Sequence, residues 1–106
     1  MEKLFAYGSL KEKEVQETVF GRFLEGTSET LKGYEVKEIK IEEEFGMETY
    51  PIIAPTENTN DIIEGMVYDL SIHELELADT YEGKQYKRIE VRLQSNEVAW
   101  AFSAKT

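Results

Sequence analysis

The sequence of 106 residues contains no cysteine and a single histidine, His73. Without cysteine the chain cannot form a disulfide, a thiolate nucleophile, or a cysteine-ligated metal or iron–sulfur site. A single histidine excludes a histidine-rich metal cluster and leaves few ways to build a serine–histidine triad. These absences remove thiol, disulfide and cysteine–metal chemistry from consideration.

Basic residues are also scarce. The chain carries 12 lysines and arginines against 22 aspartates and glutamates, which gives a formal net charge of −10. Nucleic acids and anionic membranes both attract basic surfaces, so we expect neither to be a partner. A small anionic ligand is not excluded, because main-chain amides can bind an anion against the overall field. The simplest interpretation is that the acidity keeps the protein in solution.

Long apolar runs are absent as well. No stretch approaches the roughly 20 residues of a membrane-spanning helix. The short run Phe5-Ala6-Tyr7 is interrupted at once by Gly8, so it does not resemble the apolar region of a signal peptide. A cytoplasmic location is the resulting expectation. The composition is 41% hydrophobic and 32% charged, which together with the length predicts one globular domain over residues 1–106.

The pattern of apolar residues predicts an α+β fold that is mainly β. Apolar alternation and turn residues indicate seven strands, at 3–7, 22–31, 34–41, 48–55, 62–70, 85–94 and around 98–102. Two helices are predicted, at 11–20 and from Ser71 to about Tyr81. Long antiparallel runs joined by short turns favour a small, partly closed, mixed or antiparallel β-barrel with the helices on its side. Gly65, inside a strand, indicates a bulge or a close approach of backbone.

Glu82 stands out on the second predicted helix. Ser71 and Glu74 form a capping box that fixes where this helix begins. Counting from that cap, helical period places Glu82 on the apolar stripe of Leu75 and Ala78. Burial there raises the pKa of a carboxyl group unless donors oppose it, and a glutamate poised near neutral pH can take and return a proton. The alternative is a solvated carboxylate at a frayed helix end, with Gly83 as an ordinary cap.

The segment Tyr7, Gly8, Ser9 and Leu10 follows the first strand. Because glycine permits a positive φ, successive amides of this turn can converge on an anion. A helix beginning near Lys11 adds its N-terminal dipole to such a site. The alternative is a simple turn, since Gly-Ser after a strand is common.

Three further features have open interpretations. Tyr86 can orient a substrate amine or the acid, and Arg88 can hold a carboxylate or form a cross-strand pair with an acidic residue. The run Glu42-Glu43-Glu44 is either a solvated loop or a cation site, and it lacks the ligand spacing of a calcium loop.

Five segments, in order along the chain, resemble motifs of the gamma-glutamylcyclotransferase-like family. They are Leu4 to Leu10, Leu31-Lys32-Gly33-Tyr34, Tyr50-Pro51-Ile52-Ile53, Ile63-Glu64-Gly65-Met66-Val67-Tyr68, and Asp79 to Arg88 with its Tyr81-Glu82-Gly83 and Tyr86-x-Arg88. Each is weak alone, but the ordered set covers nearly the whole chain.

The resemblance implies a β-barrel and a cyclotransferase reaction that converts a gamma-glutamyl amine or amide to 5-oxoproline and a free amine. It implies that Glu82 is the acid and base, and that the amides of Tyr7 to Leu10 bind the glutamyl end of a small gamma-glutamyl compound. No metal or cofactor is implied.

Two other functions remain open at this point. A domain of the same fold can bind a small molecule without turnover, since a fold does not guarantee chemistry. An interaction domain is the third hypothesis, using an exposed strand edge near Tyr50-Pro51. The position of Glu82, inside a pocket beside Tyr7 to Leu10 or in solvent, discriminates between these functions.

Overall fold

Seven strands and two helices form the part of the chain that the structure, a computed structural model, describes, which is residues 1–43 and 46–104. The elements in order are β1 (Glu2–Ala6), a 3-10 turn (Ser9–Lys11), α1 (Lys13–Phe20), β2 (Gly26–Lys32), β3 (Tyr34–Glu43), β4 (Gly46–Pro55), β5 (Ile62–Leu70), α2 (Ile72–Glu82), β6 (Tyr86–Arg92) and β7 (Val98–Ala104). The predicted α+β, mainly β class is confirmed. In these two ranges no helix has the length and apolar character needed to cross a bilayer.

Five strands form a mixed sheet in the order β2-β5-β1-β7-β6. β1 lies at its centre, antiparallel to β5 and parallel to β7. β3 and β4 pair only with each other within the described ranges, as a separate antiparallel ribbon. Among the described residues β2 and β6 do not pair as strands, so the predicted barrel closure is not confirmed. One main-chain hydrogen bond connects these two edges, from the Gln94 N–H after β6 to the Thr30 carbonyl of β2 at 2.8 Å. The ribbon instead packs across strands of the sheet.

Alternation along β1 divides the interior into two hydrophobic cores. Phe5 faces the ribbon and is buried with Ile53 of β4. Leu4 and Ala6 face the opposite way and are buried with Leu75 of α2. The sheet therefore lies between the ribbon and the helices, and β1 is held on both faces just before it reaches Tyr7.

Several predicted boundaries are wrong, and two of these differences have a clear physical cause. β2 begins at Gly26 rather than Arg22, because the preceding segment is tied to the helices. The Arg22 Nε–H donates to Glu74 at 2.7 Å, and the Leu24 N–H donates to the Gln16 side chain at 2.9 Å. The first α-helix begins at Lys13 rather than Lys11, because a 3-10 turn precedes it.

The acidic run Glu42-Glu43-Glu44, a candidate cation site in the sequence, has its side chains outside the described part of the chain.

Gly65 allows a close approach between β5 and β1, as its place inside a strand predicts. A Cβ added to Gly65 would lie 2.5 Å from the Ala6 carbonyl oxygen and 2.8 Å from the Phe5 ring. Both contacts are far inside van der Waals separation, and one is with backbone that cannot rotate away. A side chain here would push on β1, the strand that leads into the Tyr7–Leu10 turn.

We expect Gly65→Ala to lower the free energy of unfolding by about 2 kcal/mol, the usual cost of overpacking a dense core. Urea titration followed by circular dichroism measures this. Gly8→Ala is the matched control, because a Cβ at Gly8 meets no atom within 4 Å. Equal free energies of unfolding for the two variants would show that β1 shifts to accommodate the added methyl group without loss of stability.

Candidate active site

A cavity of about 210 Å³ lies where the end of β1 meets the C-terminal end of α2. It brings together the six residues for which the sequence predicts a catalytic or substrate-binding role: Tyr7, Gly8, Ser9, Leu10, Glu82 and Tyr86. The other lining residues are Leu4, Phe5, Ala6, Pro51, Tyr81 and Phe102. Residues far apart in the chain therefore share one site.

Helix α2 carries Glu82 to this cavity. The predicted capping box is present: the Glu74 N–H donates to the Ser71 hydroxyl at 3.1 Å, and the Ser71 N–H donates to the Glu74 carboxylate at 3.0 Å. Leu75 and Ala78 are buried, which confirms the inward stripe. The helix ends where Gly83 adopts a φ of 82°, a conformation that favours glycine. Glu82 is therefore held at the last helical position.

Two carboxyl groups on the same helix have opposite electrostatic environments. Burial raises the pKa of Glu82 to about 7. Glu74, near the other end of α2, has its pKa lowered to about 2, chiefly by the hydrogen bond from Arg22. The sequence-based expectation of a raised pKa for Glu82 agrees in direction. Glu82 can therefore accept and return a proton near neutral pH, whereas Glu74 stays ionised.

Tyr7 forms one wall of the cavity with its side chain. Its hydroxyl donates to the Phe102 carbonyl at 2.5 Å, which joins the end of β1 to β7. Burial, followed by the nearby Tyr86 and Glu82, raises the pKa of this phenol above its usual value. The Tyr7 ring is therefore a fixed, neutral part of the site.

The turn after β1 lines the cavity, although not in the predicted conformation. Gly8 has φ −124° and ψ −142°, so it does not use the left-handed region that the anion-nest prediction assumed. A 3-10 turn forms instead, in which Lys11 N–H donates to the Gly8 carbonyl at 3.1 Å. Among the described residues no main-chain acceptor pairs with the N–H groups of Gly8, Ser9 and Leu10. These groups are the open donors expected where a helical turn begins.

The rim of the cavity includes two residues that sequence reasoning did not select for the site. The Tyr86 hydroxyl donates to the Pro51 carbonyl at 2.7 Å, which brings the β3–β4 ribbon to the cavity. The hydroxyls of Ser9 and Tyr81 are 2.8 Å apart, which links the turn to α2. The place of Tyr81 directly before Glu82 in the sequence could have indicated that it lies at the site. Pro51 reaches the cavity through the topology of the fold, and no local sequence pattern indicates this.

Positive charge is missing from the described residues that line this cavity, since lysine and arginine are not among them. In residues 1–43 and 46–104, no three histidine, aspartate or glutamate side chains come together as a metal site. The polar groups that the described lining offers a ligand are thus a carboxyl group, hydroxyls and main-chain amides.

We expect Glu82 to titrate with an apparent pKa near 7 in carboxyl-carbon NMR of the free protein, because burial disfavours its ionised form. Glu74 serves as the internal control on the same helix, with a pKa of about 2. A Glu82 value at or below that of a model glutamate peptide would show that solvent or donors outweigh burial.

This pKa also makes stability depend on pH. The native state binds the Glu82 proton more tightly than the unfolded chain, so the stabilisation is complete below pH 4.5 and is lost as the pH rises through about 7. Glu82→Gln removes this ionisation, so the pH dependence should disappear in the variant. The free energy of unfolding of the variant minus that of wild type should therefore increase by about 2 kcal/mol from acid to mildly basic pH, a value that allows for the partial exposure of Glu82.

The family model described as gamma-glutamyl cyclotransferase, AIG2-like, matches residues 4–106. None of the curated proteins compared with the chain matches it.

Solved structures share the fold. Two proteins of Arabidopsis thaliana superpose with TM-scores of 0.76 and 0.77 at 27% and 24% identity, covering 97% of this chain in each case and 68% and 61% of theirs. A structure described as a gamma-glutamyl cyclotransferase has a TM-score of 0.76 at 17% identity, covering 99% of this chain and 67% of its own. This chain thus spans about two thirds of the length of these structures.

The family match extends over nearly the whole chain and agrees with the ordered motifs found in the sequence. It includes both segments that meet at the cavity, the turn after β1 and the end of α2. The resemblance is therefore confirmed, and the protein belongs to the gamma-glutamyl cyclotransferase, AIG2-like family.

Proposed function

We propose that the protein is a gamma-glutamyl cyclotransferase that converts a gamma-glutamyl amine or amide to 5-oxoproline and a free amine. The observation that carries this proposal is that the Glu82 carboxyl, whose pKa burial raises to about 7, shares one cavity with the open amides of Gly8 to Leu10. Family membership supports the same class of reaction.

The reaction requires proton transfer and positioning. The α-amine nitrogen of the glutamyl group attacks its own γ-carbonyl carbon, so nucleophile and electrophile are already tethered. A carbon–nitrogen bond forms in the five-membered ring, and the bond from the same carbon to the leaving amine breaks. No water is consumed. Glu82 takes the proton from the attacking amine and gives it to the departing nitrogen.

The pKa of Glu82 suits this role. A carboxyl group with a pKa of about 7 lies closer to the pKa of an ammonium group than one with the ordinary pKa of 4.5, so proton transfer between the two costs less free energy. A solvated glutamate with the ordinary pKa of 4.5 is a weaker base for the same step. The same closeness in pKa allows the acid to return the proton to the leaving amine.

The turn amides supply the anion-binding groups of the site. We assign the N–H groups of Gly8, Ser9 and Leu10 to the carboxylate at the glutamyl end of the substrate. The described lining has no lysine or arginine to take this role. Tyr86, held against Pro51, lines the same cavity and is assigned to substrate positioning. The partner is thus a small gamma-glutamyl compound.

A panel of gamma-glutamyl amines and gamma-glutamyl amino acids tests the proposal, with 5-oxoproline release as the readout. Glu82→Gln protein is the control for spontaneous cyclisation. Release by wild type above this control, from at least one compound, is the expected result. Binding of these compounds without release of 5-oxoproline would instead support a non-catalytic binding domain of the same fold.

The cytoplasmic location stays a prediction.

A further inference from the structure

Arg88 connects the catalytic end of α2 to the sheet. Its Nε–H donates to the Asp79 carboxylate at 2.6 Å, and its guanidinium carbon lies 4.8 Å from the centre of the Trp100 ring. The Trp100 indole N–H in turn donates to the Glu2 carboxylate at 3.1 Å. We call these four residues, Glu2, Asp79, Arg88 and Trp100, the Arg88 clamp. The clamp joins α2, β6, β7 and β1.

The clamp acts on the turn of helix that carries Glu82. Asp79 lies one helical turn before Glu82, and its main-chain carbonyl accepts the Gly83 N–H at 3.0 Å. The Gly83 carbonyl then accepts the Tyr86 N–H at 3.3 Å, at the start of the strand that carries Arg88. Gly83, the residue directly after Glu82, is therefore bonded both to Asp79 and to the first residue of β6.

We propose that Arg88 is a positioning residue, which holds Asp79 against the sheet and thereby fixes the Glu82 carboxyl relative to the amides of Gly8 to Leu10. This inference rests on the proposed function for its kinetic consequences. Its structural content, that Arg88 determines where Glu82 lies, can be tested without turnover.

Two observations distinguish positioning from direct chemistry and from general stabilisation. Arg88 is not among the residues that line the cavity, and burial rather than a nearby cation shifts the pKa of Glu82. The side chains of Arg88 and Asp79 are 25% and 40% exposed, and exposed ion pairs contribute little to stability. A displacement of about 1 Å at a reacting group, by contrast, can lower a rate by about 100-fold.

Arg88→Met and Asp79→Asn test the proposal, because each removes the ion pair and keeps a side chain of similar size. We expect kcat to fall by about 10- to 100-fold in each variant, with KM changed less than about 3-fold. The double variant should be no slower than the slower single variant, because both substitutions break the same contact. The melting temperature should fall by no more than about 5 °C.

Arg22→Met is the matched control. Arg22 donates from its Nε to Glu74 at 2.7 Å, so it forms the same kind of contact on the same helix, but at the end far from Glu82. We expect this variant to keep kcat. Equal losses of kcat in Arg22→Met and Arg88→Met would show that the loss comes from a general loosening of α2. That result would overturn the positioning role of Arg88.

Carboxyl-carbon NMR titration of Glu82 gives a readout that does not need activity. The titratable neighbours that line the cavity with it are the phenols of Tyr7, Tyr81 and Tyr86. In Arg88→Met we expect the apparent pKa of Glu82 to fall toward the ordinary value of 4.5, and in Arg22→Met to stay near 7. An unchanged titration in Arg88→Met overturns the proposal. Absence of 5-oxoproline release by wild type, with the expected titrations, would overturn the proposed function alone.

Discussion

Glu82→Gln is expected to lower kcat by two orders of magnitude or more while leaving the fold and ligand binding unchanged. A positioned acid–base group contributes about 10²- to 10⁴-fold to a rate, and the amide keeps the shape of the side chain but cannot carry the proton. In the proposed mechanism the half-buried Glu82 carboxyl, which lines the cavity with a pKa of about 7, is the base for the attacking amine, and this substitution removes it.

The measurement is the steady-state rate of 5-oxoproline release, with binding of 5-oxoproline followed separately by calorimetry. Glu76→Gln is the matched control, because Glu76 is an exposed glutamate on the same helix. Near-normal turnover in Glu82→Gln would assign the proton transfers to another group. Loss of turnover in both variants would trace the effect to net charge or to the helix.

The position of Glu82 could be predicted because it depends on local interactions. Ser71 fixes the first residue of α2 through its cap, and helical period then determines which side chains point inward. Leu75 and Ala78 on the same stripe are buried, so the inward direction of Glu82 follows from counting residues. Gly83 ends the helix directly afterwards, so Glu82 is the last helical residue and its side chain stays at the cavity.

The conformation of the turn after β1 could not be predicted in the same way. The presence of Gly8 permits a left-handed residue but does not require one, and the chain forms a 3-10 turn preceded by Gly8 at φ −124° and ψ −142°. The reason lies in the neighbours: Tyr7 is held by the Phe102 carbonyl, and Leu10 is buried against the helices. These contacts come from residues distant in sequence.

Two further features depend on the topology of the fold rather than on local sequence. They are the absence of strand pairing between β2 and β6 among the described residues, and the place of Pro51 in the lining of the cavity. Alternating strands with short turns are compatible with a barrel or with an open sheet covered by a ribbon. The outcome depends on where β3 and β4 pack, and here they cross the sheet and bring the Pro51 carbonyl to Tyr86. No local pattern around Pro51 encodes that contact.

Gly8→Val is expected to weaken binding of 5-oxoproline and of gamma-glutamyl compounds by at least about 100-fold, with little change in stability. A hydrogen bond to a charged group contributes about 1.5 to 3 kcal/mol, so loss of two of the turn amides is sufficient for this change. The loss of stability should be small, because a Cβ at Gly8 meets no atom within 4 Å and a φ of −124° lies outside the left-handed region.

The open space around Gly8 is the reason that the substitution separates binding from folding. Gly8 lines the cavity, so the two methyl groups of valine should occupy space that a bound carboxylate needs beside the Ser9 and Leu10 amides. Gly8→Ala adds one methyl group and should give a smaller loss of affinity, which makes the two variants a graded pair. Calorimetric titration with 5-oxoproline measures the affinity, and thermal unfolding measures the stability. Unaltered affinity in Gly8→Val would place the anion elsewhere, whereas a large drop in melting temperature would make Gly8 a structural residue and remove the case for a binding turn.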